Sequence, residues 1–389
     1  MEEEQLKSGL NIHIYPARFE NESRMLKMTK FLVRNKIANH VLVIGLINGE
    51  GTYKEAIDGS RDVLRVGTKF INKNILLKVL NFIEWYMKIL VFLFNKNVEM
   101  INCHSLSALP LCVLLKFRHK CLLIYEPHEL ETETKGCKGG RKIFARIVEK
   151  FFFKFADQLI VVSHSIAKAY KQMYRMRSTP PVVLNCPNYI APIRTNIFRK
   201  HFGIDSNATI FLYQGDLSEG RGVSVILEAF KNSTDPNKVI VFMGSGPLEG
   251  EIRNASLNNN NIFYHPAVPH NVVLNYTASA DVGLHFIQNT CLNHYYCMPN
   301  KLFEYLMAGL PVIVSDMYDM SSFVKQTGTG VIVCDDKSES IIGAIYQLDE
   351  IGTAAIKKNV FESAKEHCWE TQEKVLAITY DKLLREEFF

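Results

Sequence analysis

The stretch Met298-Pro-Asn-Lys-Leu-Phe-Glu-Tyr-Leu-Met-Ala-Gly-Leu-Pro-Val-Ile-Val-Ser-Asp316 predicts a loop, a helix and a buried strand in direct succession. The helix is expected to begin at Asn300 or Lys301 and to stop at Gly309, because glycine readily adopts the conformation that ends a helix. Its apolar residues recur at helical spacing and should be buried: Leu302, Phe303, Leu306 and Met307. The next segment, Leu310–Val314, is typical of a strand in a parallel sheet.

Lys301 and Glu304 both lie in the first turn of this predicted helix. The unpaired N–H groups of a helix N-terminus attract anions, and a lysine beside them adds affinity for phosphate. A carboxylate at the same place can accept hydrogen bonds from two ribose hydroxyls. The alternative for Glu304 is simple complementation of the helix dipole, with Lys301 as a surface charge.

Apolar runs alternate with helical patterns along both halves of the chain. Such alternation predicts an α/β protein with two doubly wound, Rossmann-like domains, whose ligands bind beyond the carboxyl ends of the strands in a cleft between them. The predicted strands are Asn11–Tyr15, Val41–Leu46, Val98–Asn102, Cys121–Tyr125 and Gln158–Val162, then Thr209–Tyr213, Val239–Met243, Asn261–Tyr264, Asp281–Phe286, Leu310–Val314 and Gly330–Val333. The predicted helices cover 22–37, 73–95, 105–118, 140–156 and 164–174, then 222–231, 270–279, 301–308 and 338–348.

A turn-rich connector near Asn185–Asn188 and Ala191-Pro192 sets the predicted domain boundary, with domains at 1–190 and 191–369. The first half carries 29 Lys and Arg against 17 Asp and Glu, and the second carries 16 against 23. A basic half opposite an acidic one indicates an anionic partner for the first domain. Nucleic-acid binding is not expected, because no recognised binding motif accompanies the basic residues.

Two basic stretches of the first half are interleaved with large apolar residues. They run from Lys69 to Lys96, with Trp85, Tyr86, Phe92 and Phe94 among Lys73, Lys78 and Lys88, and from Lys135 to Lys154, with Phe144 and Phe151–Phe153 among Arg141, Lys142, Arg146 and Lys150. Both resemble amphipathic helices that contact an anionic membrane surface, and core helices of an α/β domain are the alternative. Charged residues interrupt the first stretch, so a transmembrane span is not expected.

Composition indicates a soluble globular protein of 389 residues, with 47% hydrophobic and 22% charged residues. The acidic start, Met1–Glu4, has the wrong charge for a signal peptide. Nine cysteines without a Cys-x-x-Cys pair indicate reduced thiols, hence a cytoplasmic protein, with peripheral attachment to the inner face of the cell membrane as the further expectation.

The segment Phe211–Gly222 predicts a strand, a glycine-rich turn and the start of a helix. Gly215 and the glycines near the helix start allow close approach of the backbone to a ligand, and Arg221 there can grip a diphosphate through its two-pronged guanidinium. The alternative is an ordinary turn with a solvated arginine.

The segment Tyr125–Glu131 follows a predicted strand, which puts His128 and Glu129 in a loop facing the cleft. A histidine there can position a substrate or share a proton at near-neutral pH. A loop histidine with a flanking charge is the alternative, and residue 132 is threonine, which excludes the zinc protease motif.

These segments together resemble the retaining glycosyltransferases of family four, group 1 type, with the GT-B fold, and most closely the branch that builds bacterial surface polysaccharides. The resemblance implies transfer of a sugar from a nucleotide-diphosphate donor to a glycan or lipid-linked acceptor, and a C-terminal helix over 370–389 that crosses back onto the first domain. It assigns the leaving diphosphate to Arg221 and Lys301, the ribose to Glu304, and the sugar and acceptor to His128 with Glu129. Further donor contacts are expected from Arg18, Gly215, Val268, His294, Met298, Asn300 and Leu302.

Two positions depart from the family pattern. Asp216 stands where many members carry arginine, and Tyr296 stands where many carry the first of two glutamates eight residues apart. The second change predicts altered sugar recognition. The two departures also leave open a nucleotide-sugar-binding pseudoenzyme, and a GT-B sugar-nucleotide epimerase is a nearer alternative.

No metal and no cofactor beyond the donor substrate is required by this scheme, because cations and helix N-termini already supply positive charge. Cys291, His294 and Cys297 form a short run with metal-ligand side chains, but a fourth zinc ligand is not specified. Gly244-Ser-Gly246 lacks the third glycine of the dinucleotide fingerprint at the required spacing, which argues against NAD.

Overall fold

A computed structural model describes residues 9–20, 22–69, 75–191 and 193–386. These residues form two compact units. The first comprises the described residues up to Val162, residues 166–183 and the residues from Val375 onward. The second comprises residues 163–165 and 184–374.

The first unit is built on a six-stranded sheet with the strand order β3-β2-β1-β4-β5-β6. Its strands are β1 (Leu10–Ile14), β2 (His40–Asp58), β3 (Arg61–Thr68), β4 (Val98–Cys103), β5 (Leu122–Tyr125) and β6 (Gln158–Leu159). Its helices are α1 (Ser23–Arg34), α2 (Ile75–Leu93), α3 (Leu109–His119), α4 (Gly139–Phe153) and α5 (His164–Tyr174), with 3-10 turns at Leu106–Ala108 and Glu131–Glu133. The first residues of the predicted helix over 73–95, Lys73 among them, lie outside the described residues.

The edge of this sheet differs from the prediction, which ended β2 at Leu46 and had no strand at 61–68. Val41 pairs with Arg61 and Asn48 with Thr68, after which the register reverses and Thr52 pairs with Val66. Gly49 and Gly51 have positive φ at this reversal, and a Cβ on Gly67 would lie 2.1 Å from the Gly49 carbonyl oxygen. The reversal depends on glycines within a polar segment, which the strand pattern did not reveal.

The second unit has a second six-stranded parallel sheet, in the order β12-β11-β10-β7-β8-β9. Its strands are β7 (Thr209–Asp216), β8 (Lys238–Ser245), β9 (Ile262–Pro266), β10 (Val282–His285), β11 (Val312–Ser315) and β12 (Gly330–Val333). Its helices are α6 (Ile197–Phe202), α7 (Val223–Lys231), α8 (Glu249–Asn258), α9 (Val273–Thr277), α10 (Leu292–Tyr295), α11 (Asn300–Met307), α12 (Tyr318–Thr327), α13 (Ser338–Ile351) and α14 (Thr353–Glu366). All six predicted strands of this half are present, whereas α6, α8, α10, α12 and α14 were not predicted.

The last helix, α15 (Trp369–Glu386), begins in the second unit and continues in the first. In the first unit the buried Tyr380 accepts a hydrogen bond from Asn102 Nδ2 (2.8 Å), and its ring centroid lies 6.4 Å from that of Phe31. The return of this helix to the first unit was the expectation drawn from the family resemblance, and it is confirmed. Among the described residues, no helix is long and apolar enough to span a bilayer.

Candidate functional site

The N-terminus of α11 brings Lys301 against Gly215 at the carboxyl end of β7. A Cβ built on Gly215 would lie 1.8 Å from Lys301 Cε and 2.6 Å from Nζ. Gly215 also has a φ of +117°, a conformation that side-chain-bearing residues rarely adopt. The glycine therefore makes the space in which the lysine side chain lies.

Positive and negative charges surround the Lys301 ammonium. Burial lowers the pKa of Lys301, and the nearby Arg221 cation acts in the same direction, while the carboxylates of Glu304 and Asp216 oppose it. Arg221 Nε lies 3.9 Å from Asp216 Oδ2, and both side chains are more than a third exposed. Asp216 thus partly offsets the positive charge of this cluster, and its distance from Arg221 Nε is too long for a hydrogen bond.

Glu304 is held in place by a chain of buried hydrogen bonds. Its side chain is 8% exposed, and its Oε2 accepts from Gln214 Nε2 at 2.6 Å. Gln214 Oε1 in turn accepts from Thr277 Oγ1 at 2.8 Å, and the backbone N–H of Gln214 donates to Tyr305 Oη at 3.0 Å. A carboxylate fixed in this way can offer its remaining lone pairs to hydroxyl groups with little loss of rotamer freedom.

His285, the last residue of β10, is a part of this cluster that was not predicted. It is 2% exposed, and neither ring nitrogen has a hydrogen-bond partner among the described residues. Burial lowers the pKa of His285 well below its ordinary value, and the cations of Lys301 and Arg221 add to the effect. The available signal was its place at the carboxyl end of a predicted strand, where ligand-binding residues of such sheets collect.

The segment before α11, which includes α10, lies in the same unit. His294 Nδ1 is 3.1 Å from the Gln288 carbonyl oxygen, and the Tyr296 carbonyl accepts from Ser163 Oγ at 3.0 Å. Met298 is half-buried and Asn300 is exposed at the helix start. Leu302 is fully buried, and its amide donates to the Pro299 carbonyl.

Val268 is half-buried in the loop after β9. The second unit therefore brings Gly215, Arg221, Lys301 and Glu304 together, with Val268 in the loop after β9 and His294 in α10.

Three histidines line up in the first unit, at the carboxyl ends of adjacent strands. His13 Nδ1 lies 2.8 Å from His104 Nε2, and His104 Nδ1 lies 3.1 Å from His128 Nε2. The ring of Tyr15 stacks on His128 with centroids 5.7 Å apart. His128 was predicted as a site residue, whereas the two histidines behind it were not.

Glu126 is buried beside this row and is tied to Asn102, whose Nδ2 donates to Glu126 Oε1 at 2.6 Å. Burial raises the pKa of Glu126 from 4.5 to about 7, although the Arg24 cation and hydrogen bonds with Asn102 and Tyr380 oppose the shift. The remaining predicted residues of this unit are surface groups: Glu129 is exposed, and Arg18 Nε pairs with Glu20 Oε1 at 2.8 Å with both side chains mostly exposed.

The raised pKa of Glu126 predicts a pH-dependent loss of stability. The unfolded chain ionises Glu126 near pH 4.5 and the folded chain near pH 7, so stability falls as pH rises through this window. Glu126→Gln should remove a penalty of about 3 kcal/mol above pH 7 and change little below pH 4.5. Urea unfolding across this range measures the difference, with exposed Glu366→Gln as control. If the free energy of unfolding depends on pH equally in the wild type and in Glu126→Gln, the assignment is wrong.

Among the described residues, no group of three or more His, Cys, Asp or Glu side chains is arranged to hold a metal ion. Cys291 and Cys297 are half-buried free thiols. The zinc alternative for this loop therefore has no ligand set in the described part of the chain.

Two family matches cover the two units. Residues 194–362 match glycosyl transferases group 1, and residues 22–187 match glycosyltransferase family 4. Comparison with curated protein sequences finds no match to the chain.

Solved structures share the fold over nearly the whole chain. A sucrose-phosphate synthase from Thermosynechococcus elongatus is 16% identical, with a TM-score of 0.77 over 97% of this chain and 100% of that chain. Anabaena HepE, in complex with UDP and glucose, is 15% identical, with a TM-score of 0.72 over 95% and 99%. WaaG, a glycosyltransferase involved in lipopolysaccharide biosynthesis, is 14% identical, with a TM-score of 0.67 over 96% and 99%.

The two parallel sheets, the returning C-terminal helix and the two family matches agree with one another. The chain is a glycosyltransferase of the GT-B type.

Proposed function

We propose that this glycosyltransferase moves a sugar from a nucleotide-diphosphate donor to an acceptor hydroxyl with retention of anomeric configuration and without a metal ion. The observation that carries the proposal is the seating of Lys301 on Gly215, beside Arg221 and the fixed carboxylate of Glu304. Two cations with a helix N-terminus suit a diphosphate, and a positioned carboxylate suits a ribose. HepE, whose structure contains UDP and glucose, is a fold neighbour that makes the same ligand class reasonable here.

The chemistry follows from where charge develops. When the bond between the sugar and the diphosphate breaks, the leaving oxygen gains negative charge. Lys301, seated in the space at Gly215, and Arg221 beside it stabilise that charge. In the first unit, His128 and Glu129 serve the acceptor and the transferred sugar.

We further propose that the acceptor is linked to a lipid, in bacterial polysaccharide or glycolipid assembly, and that the first unit attaches to the inner face of the cell membrane. Support comes from α4, whose one fully buried residue is the charged Glu149. Its opposite face exposes Ile143, Phe144, Ile147 and Phe151 by between 53% and 69%. These four residues, named here the α4 stripe, lie among Arg141, Lys150 and Lys154, the pattern of a helix that binds anionic lipid.

A second apolar stripe lies on α2, where Val79, Ile83, Met87 and Val91 follow one another at a spacing of four residues and are each more than half exposed. Trp85, in the same helix, is fully buried and belongs to the core. A cavity of about 600 Å³ lies between α4, the start of α3 and the 131–137 loop, and Phe144 and Arg141 contribute to its wall. Its wall also includes the Glu131 carboxylate and the hydroxyls of Ser105, Ser107 and Thr134. The apolar part beside Arg141 suits a lipid chain near an anionic headgroup.

The decisive experiment is a donor panel. UDP-, GDP-, TDP- and ADP-sugars are added in turn to the full chain, and the correct donor raises the thermal midpoint because it binds the folded state alone. Slow hydrolysis or transfer is then followed with that donor. Arg221→Ala and Glu304→Ala should abolish turnover and reduce the thermal shift.

The alternatives give different results in the same assay. Binding without turnover on any acceptor would favour the nucleotide-sugar-binding pseudoenzyme, for which Asp216 and Tyr296 are the motivating residues. Interconversion of one nucleotide sugar into another would favour the epimerase. No thermal shift with any nucleotide sugar would overturn the donor assignment itself.

Gly215→Ala is expected to lower transfer by on the order of 100-fold, because the new methyl group occupies the space of Lys301 Cε. The backbone at φ +117° adds a strain of about 1–2 kcal/mol to the folded state. Transfer rate and thermal midpoint are measured together, with Gly343→Ala as control, since no heavy atom lies within 4 Å of a Cβ at that helical glycine. Full activity in Gly215→Ala would show that Lys301 can act from another position.

A further inference from the structure

The histidine row, made of His13, His104 and His128, is a consequence of sheet topology. His13 lies in β1, His104 follows β4 directly and His128 follows β5, and these strands are neighbours in the order β1-β4-β5. The two ring-to-ring contacts of 2.8 and 3.1 Å are both of hydrogen-bond length. The row therefore links a half-buried residue of the proposed acceptor side to a completely buried one.

Burial favours the neutral form of all three rings. Burial lowers the pKa of His13 and of His128 to about 3, and lowers that of His104 well below its ordinary value. The Arg24 cation acts in the same direction on His104 and His128. A neutral imidazole has one N–H donor and one acceptor nitrogen, so each ring can donate to only one neighbour.

This restriction leaves two arrangements for the whole row. In one, every ring carries its proton on Nε2, and the hydrogen bonds run from His128 through His104 to His13. In the other, every ring carries its proton on Nδ1, and they run from His13 to His128. Any mixture would set two protons or two lone pairs against each other at one contact.

The inner end of the row selects between them. His13 is fully buried, and its Nε2 has no hydrogen-bond partner among the residues that the structure describes. The first arrangement would leave a buried N–H without an acceptor there, and the second leaves only a lone pair. Orphaned N–H groups are the rarer of the two in folded proteins. The second arrangement is therefore favoured.

We propose that His13 and His104 are positioning residues that hold His128 in the Nδ1–H form, so that His128 meets its ligand as a hydrogen-bond donor and not as a base. The ligand atom it recognises is then an oxygen with a free lone pair, in a hydroxyl or phosphate group. The catalytic consequence rests on the proposed function, whereas the tautomer does not. Free neutral histidine prefers the opposite Nε2–H form, so the effect of the row is measurable.

Nitrogen-15 NMR of the full chain, labelled at histidine, reads the tautomers directly at a pH above the ordinary histidine pKa. His13, His104 and His128 should all show a protonated Nδ1 and an unprotonated Nε2. The signals of His128 are identified by their loss in His128→Ala. The exposed His270 is the internal control and should follow free histidine. A His128 protonated on Nε2, or averaging between both forms, would overturn the proposal.

His104→Phe keeps a ring but breaks the row. It should return His128 toward the Nε2–H form and lower kcat by about tenfold, with the KM for the nucleotide sugar little changed. An unchanged His128 tautomer in this variant would also overturn the proposal. If the variant does not fold, the wild-type spectrum still decides, and because it requires no turnover, its result is independent of whether the transferase assignment holds.

Discussion

Lys301→Met is expected to lower kcat for sugar transfer by roughly 10²–10³-fold, because in the proposed mechanism the ammonium stabilises the charge that develops on the leaving diphosphate. The same change should leave the thermal midpoint equal or higher. Burial lowers the pKa of Lys301, so the charged form is disfavoured by the fold and its removal relieves a desolvation cost. A large fall in kcat with an unchanged or higher thermal midpoint would show that Lys301 acts in catalysis and is not needed for stability.

Single-turnover transfer with the donor found in the panel measures the effect, and calorimetry measures donor binding. Lys325→Met is the matched control, since Lys325 is exposed on α12 in the same unit. Donor binding should weaken less than kcat falls, because the leaving oxygen gains its additional negative charge only as the bond breaks. Transfer within tenfold of wild type would remove Lys301 from the proposed mechanism.

Phe144→Asp combined with Ile147→Asp is expected to weaken binding to anionic vesicles by at least about 100-fold, since each buried side chain of this size contributes about 1.5–3 kcal/mol. Both residues belong to the α4 stripe and are more than 60% exposed. Sedimentation with phosphatidylglycerol vesicles at low salt gives the partition coefficient. Added salt should also weaken it, through screening of the neighbouring lysines and arginines.

Leu257→Asp is the control for the Phe144→Asp, Ile147→Asp variant. It replaces a comparable apolar side chain that is 84% exposed on α8 of the second unit. Transfer to a soluble acceptor should be unaffected in the double variant. If the wild-type chain does not sediment with anionic vesicles, the membrane proposal is wrong.

The quoted 298–316 stretch was the most predictable part of the chain. Its helix was expected from Asn300 or Lys301 to residue 308 and is found at Asn300–Met307, and the four residues expected in the core are buried. Both results follow from short-range causes, namely helical spacing of apolar residues and a glycine of positive φ after the helix. Lys301 and Glu304 were identified for the same reason, since the first turn of a helix is a local feature.

The shorter elements were harder to predict. The helices α12 and α14 mix buried and exposed residues with little amphipathic contrast, and the reversal between β2 and β3 depends on glycines in a polar segment. His285 carried no local signal beyond its position after an apolar run. Its unpartnered ring becomes meaningful only beside Lys301 and Arg221.

Periodicity and turn residues, which act over a few positions, were sufficient to predict two α/β domains and to propose residues for a diphosphate site. They were not sufficient for the contacts that join distant segments: the fit of Lys301 into the space at Gly215, and the alignment of His13, His104 and His128 along neighbouring strands. The direction of α4 belongs to the same group. Its sequence allows its apolar face to lie inside or outside, and the hydrogen bonds of Tyr125, Tyr170 and Tyr174 to Glu149 bring the carboxylate inward. Local pattern specifies elements, whereas packing between elements decides which side chains meet and which face stays exposed.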